Sequence, residues 1–321
     1  MTFDDVESAR ATYYAKRGKI TKLIIIVDIC IILIASLFII PIIIARAQKS
    51  TPLSMTIVPI IGVTFGVVIF SLIIEFLILS LTTKKELSTY QKNYKAYFVS
   101  QGLQKIFSNI SYNHNDGMPR EVVATAMNTG DIYRSNDLTT GCYKNINFTQ
   151  ADVHIQEKHT DSDGDTTYVT LFYGRFLVFD FNRNFTSNLQ IASKYFCHNT
   201  THNLTKNGLK FSRIQTESSD FNRNFKIYAQ NGVDALYILD PAFMEKIQKL
   251  YTNCKHEILL TFTDKKVYIA IDDKKDSFEP PMQKTPLNKT AETTKVENDI
   301  RVITNFIDSL NLDRYFKGGK A

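Results

Sequence analysis

Tryptophan is absent from the 321 residues, cysteine occurs four times, and glycine and proline only 13 and 8 times. So little glycine and proline excludes a collagen-like or low-complexity chain. The four cysteines are scattered, with Cys30 inside an apolar run, which excludes a disulfide-stapled secreted module and reads as reduced thiols. Long runs of one charge are also missing. Against 32 acidic residues stand 38 basic ones, for a net charge of +6, and the longest basic runs are pairs such as Lys84-Lys85. That is a solvated surface and not a nucleic-acid arm. The chain carries no G-x-G-x-x-G, P-loop, G-x-S-x-G or H-E-x-x-H signature. No cofactor is expected, and the sequence leans away from an enzyme.

What the chain does have is two long apolar runs, both before residue 82. Residues 23–45 read LIIIVDICIILIASLFIIPIIIA, and at about 1.5 Å per residue such a run crosses a hydrocarbon core of about 30 Å. Residues 57–81 are a second run, opened by Pro59, which the first helical turn tolerates. These predict a transmembrane hairpin with a short external connector at 46–56 and a basic cytoplasmic segment at 1–22. The first run is too long for a signal-peptide core, and no small-residue cleavage site precedes the connector, so it is expected to be retained. Arg10, Lys16, Arg17, Lys19 and Lys22 precede the first run, and Lys84, Lys85, Lys92 and Lys95 follow the second, whereas the connector holds only Arg46 and Lys49. The positive-inside rule then places both termini in the cytoplasm, and the protein as a multi-pass protein of the inner (cytoplasmic) membrane. With the following domain in the cytosol, the six Asn-x-Ser/Thr sequons at Asn109, Asn147, Asn184, Asn199, Asn203 and Asn288 are chance matches.

Two acids interrupt the runs, Asp28 and Glu75, each about six residues from the cytoplasmic end, so an antiparallel hairpin puts them at similar depth. Intramembrane carboxylates are costly; they are either functional or neutralised by Lys19, Lys22, Lys84 or headgroup water. Gly62 and Gly66 form a G-x-x-x-G step suited to helix packing within the hairpin or between copies. Two helices enclose no pore, so a channel would need a homo-oligomer.

The rest of the chain predicts an α+β fold. Leu87, Tyr90, Tyr94, Tyr97, Phe98, Ile106, Phe107 and Ile110 fall at helical spacing, giving a juxtamembrane amphipathic helix over 82–110. A mainly antiparallel sheet domain with packed helices follows over 111–313. Its strands are expected at 151–155, 168–181, 225–229, 259–262 and 266–271, where β-branched and aromatic residues cluster. Asp161-Ser-Asp-Gly-Asp165 lacks the Gly and Glu positions of a calcium-binding helical loop and reads as a hairpin turn. Asp240-Pro241 starts a helix with Phe243, Met244, Ile247, Leu250 and Tyr251 on its apolar face. Residues 279–299, with Pro280, Pro281 and Pro286, read as a mobile loop. A closing helix is expected over 300–312, with Ile303, Phe306, Ile307 and Leu310 on one face, and a tail over 314–321.

One hexapeptide, Asp180 to Phe185, recurs as Asp220 to Phe225. If the copies faced each other, Asp180, Arg183, Asp220 and Arg223 would form a polar site; otherwise they cap strand-end corners. Cys197, His198 and His202, with Cys254 and His256 as further donors, match no common zinc spacing and make only a weak metal candidate.

Several ordered segments resemble the bacterial family called domain of unknown function three-one-three-seven. They are Tyr133 to Gly141, Ala151-Asp-Val-His154, Gly174-Arg-Phe-Leu-Val-Phe-Asp-Phe181, Asp220 to Ala229, Ala235-Leu-Tyr-Ile-Leu-Asp-Pro-Ala-Phe-Met244 and Val267-Tyr-Ile-Ala-Ile271. Where the family tends to carry Ala-Arg-Tyr, this chain has Ala235-Leu236-Tyr237. The resemblance implies two N-terminal membrane helices and a LemA-like membrane protein encoded nearby. It implies no established activity. The functions open at this point are a membrane-anchored binding, scaffold or sensor module for a membrane-protein partner or a second copy; an enzyme with an unfamiliar site at the repeated hexapeptides; and a channel or transporter subunit using Asp28 and Glu75. The bilayer is the one partner all three share.

Overall fold

The computed structural model describes residues 1–47, 53–180, 188–196, 205–206, 209–263 and 265–310, with the backbone alone for parts of the first two helices. It divides into two compact units, Met1–Tyr97 with Pro280–Asn288, and Phe98–Glu279 with Lys289–Ala321.

The first unit is a pair of long helices, α1 (Phe3–Ala47) and α2 (Leu53–Tyr94). Each runs well beyond its apolar run. They are antiparallel, since Lys16 pairs with Glu86 at 2.8 Å, Ser71 donates to Asp28 at 2.9 Å, and Asn93 donates to the Asp5 carbonyl at 3.2 Å. Among the described residues no helix is long and apolar enough to cross a membrane. The side chains of 35, 38–40, 42–64 and 67, which hold part of both apolar runs, lie outside the described set. At the polar end, Val6, Tyr13, Tyr90 and Tyr94 are buried together. There the segment 280–288 lies against the helices. Tyr90 donates to the Pro281 carbonyl at 3.1 Å, Arg10 to the Lys284 carbonyl at 2.6 Å, and the Leu287 amide to Glu7 at 2.9 Å. The prolines, expected to mark a mobile loop, instead form a strap whose polar backbone groups find partners on both helices.

A π-helical turn, Lys95–Val99, spans the boundary between the two units along the chain, and a short helix α3 (Ser100–Ile106) follows in the second. The helix expected to reach 110 stops earlier, because Phe107 turns extended (φ −118°, ψ 135°) and Ile110 already pairs in a strand. Then come β1 (Ile110–Asn113), α4 (Arg120–Ala124), β2 (Ile132–Tyr143), β3 (Ile146–Thr160), β4 (Thr166–Asp180), β5 (Leu189–Ser193) and the small pair β6 (Thr205–Lys206) and β7 (Leu209–Lys210). After β8 (Ser212–Ile214), α5 (Ser219–Asn224), β9 (Phe225–Ala229), α6 (Gly232–Ile238) and α7 (Pro241–Cys254), the chain ends in β10 (Glu257–Thr263), β11 (Lys266–Asp272) and α8 (Lys289–Ser309). Nine strands form one antiparallel sheet in the order β1-β2-β3-β4-β11-β10-β5-β9-β8.

The local chemistry explains the best-marked elements. Asp161 Oδ1 accepts from the amides of Asp163 and Asp165, and Gly164 takes φ +89°, so the β3–β4 connection is the expected tight turn. Asp240 caps α7 by accepting from the Phe243 amide at 2.7 Å, with Pro241 in the first turn and Phe243, Ile247 and Leu250 buried. Helix α8 begins at Lys289, eleven residues before the expected start, and buries Val296 and Ile300 in addition to Ile303, Phe306 and Ile307. Its first turns are polar, so only docking on the sheet and on α3, where Ile300 meets Gly102, stabilises them. The other face of the sheet carries Ala151, Val153, Ile155, Phe176, Val178, Leu259 and Ala270, covered by Met118, Val123, Ala126 and Met127 around α4.

Candidate functional site

The second unit gathers three carboxylates where β2, β3 and the loop after β11 meet. Asp137, Asp152 and Asp276 each bring an oxygen to one spot, all within 4.8 Å of one another, with Asp137 and Asp152 buried and Asp276 half-buried.

Each acid is placed by a specific irregularity. The β2–β3 register shifts between Asn136 and Thr139, and Asp137 sits in that bulge at φ +57°, a backbone region Asp tolerates better than most residues. The bulge amides are satisfied from the preceding turn: Leu138 donates to the Asp116 carbonyl at 2.9 Å. Asp152 lies in regular β3, opposite Arg175 of β4. Asp276 is carried by a loop that turns sharply at Lys274 (φ +57°) and Phe278 (φ +63°). That loop is tied down by the Lys274 amide on the Tyr173 carbonyl at 2.9 Å, and by the buried Phe278 ring, edge-on to Tyr112 at 6.2 Å. Gly174 lets the loop come close, since a Cβ there would fall 2.1 Å from the Ile271 carbonyl oxygen.

The hydrogen bonds are unevenly shared. Tyr112 donates to Asp137 Oδ1, and Asn136 Nδ2 serves Asp137 Oδ2 at 2.9 Å and both Asp276 oxygens at 3.1 and 3.2 Å. The Ser277 amide donates to Asp152 Oδ2 at 2.8 Å. Asp152 Oδ1 is buried with no hydrogen-bond partner among the described residues, and the same is true of Ser277 Oγ. Burial holds the Asp152 carboxyl well above the ordinary carboxylate range, Asp276 and Asp137 push the same way, and Arg175 opposes them. Burial next to Asp137 also raises the Tyr112 phenol.

Beside the cluster lies an ion network centred on Arg175, itself 2% exposed. The guanidinium pairs with Asp299 of α8 at 2.8 Å and approaches Asp273 at 3.7 Å, and Lys275 lies 3.5 Å from Asp299. These residues line a polar pocket of about 370 Å³ together with Cys254, His256 and Phe306. Burial raises the Cys254 thiol, so it is not a thiolate poised for nucleophilic attack.

The residues singled out from sequence lie elsewhere. Asp28 and Glu75 do converge, as equal depth required: Ser71 donates to Asp28 at 2.9 Å and reaches Glu75 at 3.5 Å, inside an apolar groove of about 350 Å³ along α1 and α2. A Cβ on Gly66 would meet nothing within 4 Å among the described residues, and the Gly62 side-chain position is outside the described set. Asp220 and Arg223 pair with each other on the exposed face of α5, and Asp180 reaches Lys266 at 3.8 Å. Arg183, Cys197, His198 and His202 lie outside the described residues. The three-carboxylate cluster escaped sequence reasoning because its members share no motif. The one signal available was the acid-rich run Asp272-Asp-Lys-Lys-Asp276 just after a strand.

Fold and cluster together define a two-helix hairpin protein carrying a nine-stranded antiparallel α+β domain with a buried acidic centre. Residues 170–312 match the family described as "Protein of unknown function (DUF3137)", the family the ordered segments resemble. The matched stretch contains Arg175 and Asp276 and begins after Asp137 and Asp152. Among solved structures, the crystal structure of the mycobacterial trehalose monomycolate transport factor A, TtfA, is similar over 69% of this chain and 94% of that one, at 9% identity and a TM-score of 0.37. A likeness that slight carries no argument about function. No curated protein matches the chain.

Proposed function

We propose that the protein is a two-span inner-membrane protein whose α+β domain works on the cytosolic side as a binding or scaffold module. One observation carries the membrane half of this reading. Leu23, Ile26, Leu33 and Leu37 of α1, and Phe65, Phe70, Phe76 and Leu81 of α2, are each 57–73% exposed. At about 25 cal/mol per Å², so much apolar surface facing water would be strongly unfavourable, and a hydrocarbon core removes the cost. The lysines and arginines flanking both runs favour cytoplasmic termini. The binding half is supported by a large domain whose described residues show no recognised catalytic arrangement, and the partner that the family resemblance suggests is a LemA-like membrane protein.

The test is topological. In a chain whose four cysteines are replaced by serine, Ser50→Cys should react with a membrane-impermeant maleimide on intact cells, and Glu217→Cys only after lysis. Extraction of the protein by carbonate, or labelling of Glu217→Cys on intact cells, would overturn the reading. A second reading, a homo-oligomeric channel, is favoured by the Asp28–Ser71–Glu75 cluster facing the groove. It requires ion flux in liposomes that Asp28→Asn with Glu75→Gln abolishes; undiminished flux in that double variant removes it.

A further inference from the structure

We infer that Asp137, Asp152 and Asp276 form a binding site for a hard divalent cation of the Ca²⁺ or Mg²⁺ class, joining the loop after β11 to the β2–β3 bulge. Three carboxylate oxygens from three separate segments lie within 4.8 Å of one another, a spacing that oxygens around one such ion adopt at metal–oxygen distances of about 2.0–2.6 Å. The donor set is oxygen only, with no thiol or imidazole in it, which suits a hard cation and disfavours zinc or copper.

A cluster of acids alone would not mark a site, since aspartates also crowd together on surfaces. Here the acids are not on the surface, and one of them is left in want of a positive partner. Asp152 is 1% exposed, and its Oδ1 has no hydrogen-bond partner among the described residues while the Asp276 carboxyl lies within hydrogen-bonding reach. When both are ionised, a buried carboxylate beside a half-buried one with no donor between them is costly, and a divalent cation there turns repulsion into coordination. The nearest protein cation, Arg175 on the neighbouring strand opposite Asp152, donates from both terminal nitrogens to Asp299, and its buried Nε has no hydrogen-bond partner among the described residues. Ser277 Oγ, buried and without a partner next to Asp152, is a further neutral oxygen close at hand.

The surrounding contacts resemble the outer support that orients metal ligands. Tyr112 and Asn136 hold the Asp137 carboxylate from two sides, and the Ser277 amide fixes one Asp152 oxygen, leaving the other without a donor. The ion would therefore bind a preformed cage and lock the 273–279 loop against the sheet, which is a different property from membrane anchoring and stands if that reading fails.

The experiment uses the full chain in neutral detergent, stripped with a chelator and titrated with Ca²⁺ and, separately, with Mg²⁺ by calorimetry. Tb³⁺ serves as a luminescent probe, because in a chain with no tryptophan its sensitised emission must come from tyrosine, and Tyr112 adjoins the site. The expected result is saturable binding of at least one ion at one site, Tb³⁺ emission that the same ion displaces, and a loss of affinity of more than tenfold in Asp152→Asn and in Asp276→Asn but not in the exposed Asp220→Asn. Absence of saturable binding by the folded wild-type chain overturns the assignment, and so does unchanged affinity in both cluster variants. If either Asn variant fails to reach wild-type ellipticity, Tyr112→Phe takes its place. That variant, combined with Tyr173→Phe because Tyr173 also adjoins Asp152 and Asp276, keeps all three carboxylates, so Ca²⁺ or Mg²⁺ binding should persist while Tb³⁺ emission falls; unchanged emission would place the ion elsewhere and overturn the assignment.

Discussion

Replacing a buried acid by its amide usually weakens a protein, but Asp152→Asn should strengthen this one when divalent ions are chelated. Asp152 Oδ2 accepts from the Ser277 amide, and an asparagine oxygen keeps that bond. The other carboxylate oxygen, which accepts from no donor, becomes an NH₂, and the Asp276 carboxylate lies within hydrogen-bonding reach of this side chain. A hydrogen bond to a charged group is worth about 1.5–3 kcal/mol. Against it stands the lost attraction to Arg175, which acts without a hydrogen bond because the guanidinium is engaged by Asp299, and which we set at about 1 kcal/mol. The net gain is about 1 kcal/mol, or about 2–4 °C in the melting midpoint for a domain of this size. The pH dependence follows from the raised native pKa. Between the unfolded carboxyl's value of about 3.9 and the raised native value, the folded wild type holds a proton that the unfolded chain has released, so its stability falls as pH rises. The asparagine variant has no such loss, and its advantage should vanish near about pH 3 and be complete above the native pKa. Denaturant unfolding followed by near-UV circular dichroism, in chelator at several pH values, measures both features. A variant less stable than wild type by about 1 kcal/mol at neutral pH, or a difference independent of pH, would refute the argument.

Other consequences test the frame around the cluster. Gly174→Ala places a methyl 2.1 Å from the Ile271 carbonyl in the middle of the sheet and should cost about 3 kcal/mol or more, seen as protease sensitivity or loss of folded protein. Arg175→Met leaves Asp273, whose side chain is 4% exposed, and the partly exposed Asp299 without their shared partner, and denaturant midpoints should drop by the equivalent of about 3 kcal/mol. Asp240→Ala removes the α7 cap and should cost about 1 kcal/mol without altering cation binding. Cross-linking in membranes should capture one reproducible protein partner; capture of the chain's own copies alone would count against a scaffold.

Local chemistry was legible wherever a residue acts on its immediate neighbours. The hairpin of long helices follows from two apolar runs, the β3–β4 turn from Asp161 to Asp165, and the start of α7 from Asp240-Pro241. Strands β3, β4, β9, β10 and β11 also follow, because β-branched and aromatic residues cluster there. Strands β1, β2, β5 and β8 were missed: β2 is rich in Arg134, Ser135, Asn136 and Asp137, whose strand character comes only from pairing with β3. The first turns of α8 were missed for the same reason, since Thr and Lys residues become helical there through docking.

By itself, then, the sequence determined the apolar helices, the turns and the caps, because periodicity, capping and turn propensity are interactions between residues a few positions apart. Only the tertiary structure decided that the prolines of 280–288 strap the polar end of the hairpin, and that Asp137, Asp152 and Asp276 share one centre. Asn136 reaches Asp276 across 140 positions of chain, a separation closed by strand order, with β3, β4 and β11 adjacent in the sheet and a bulge turning Asp137 inward. No spacing rule encodes such a meeting, because the free energy that enforces it is the burial of the whole sheet between its helices and not any contact among the three acids.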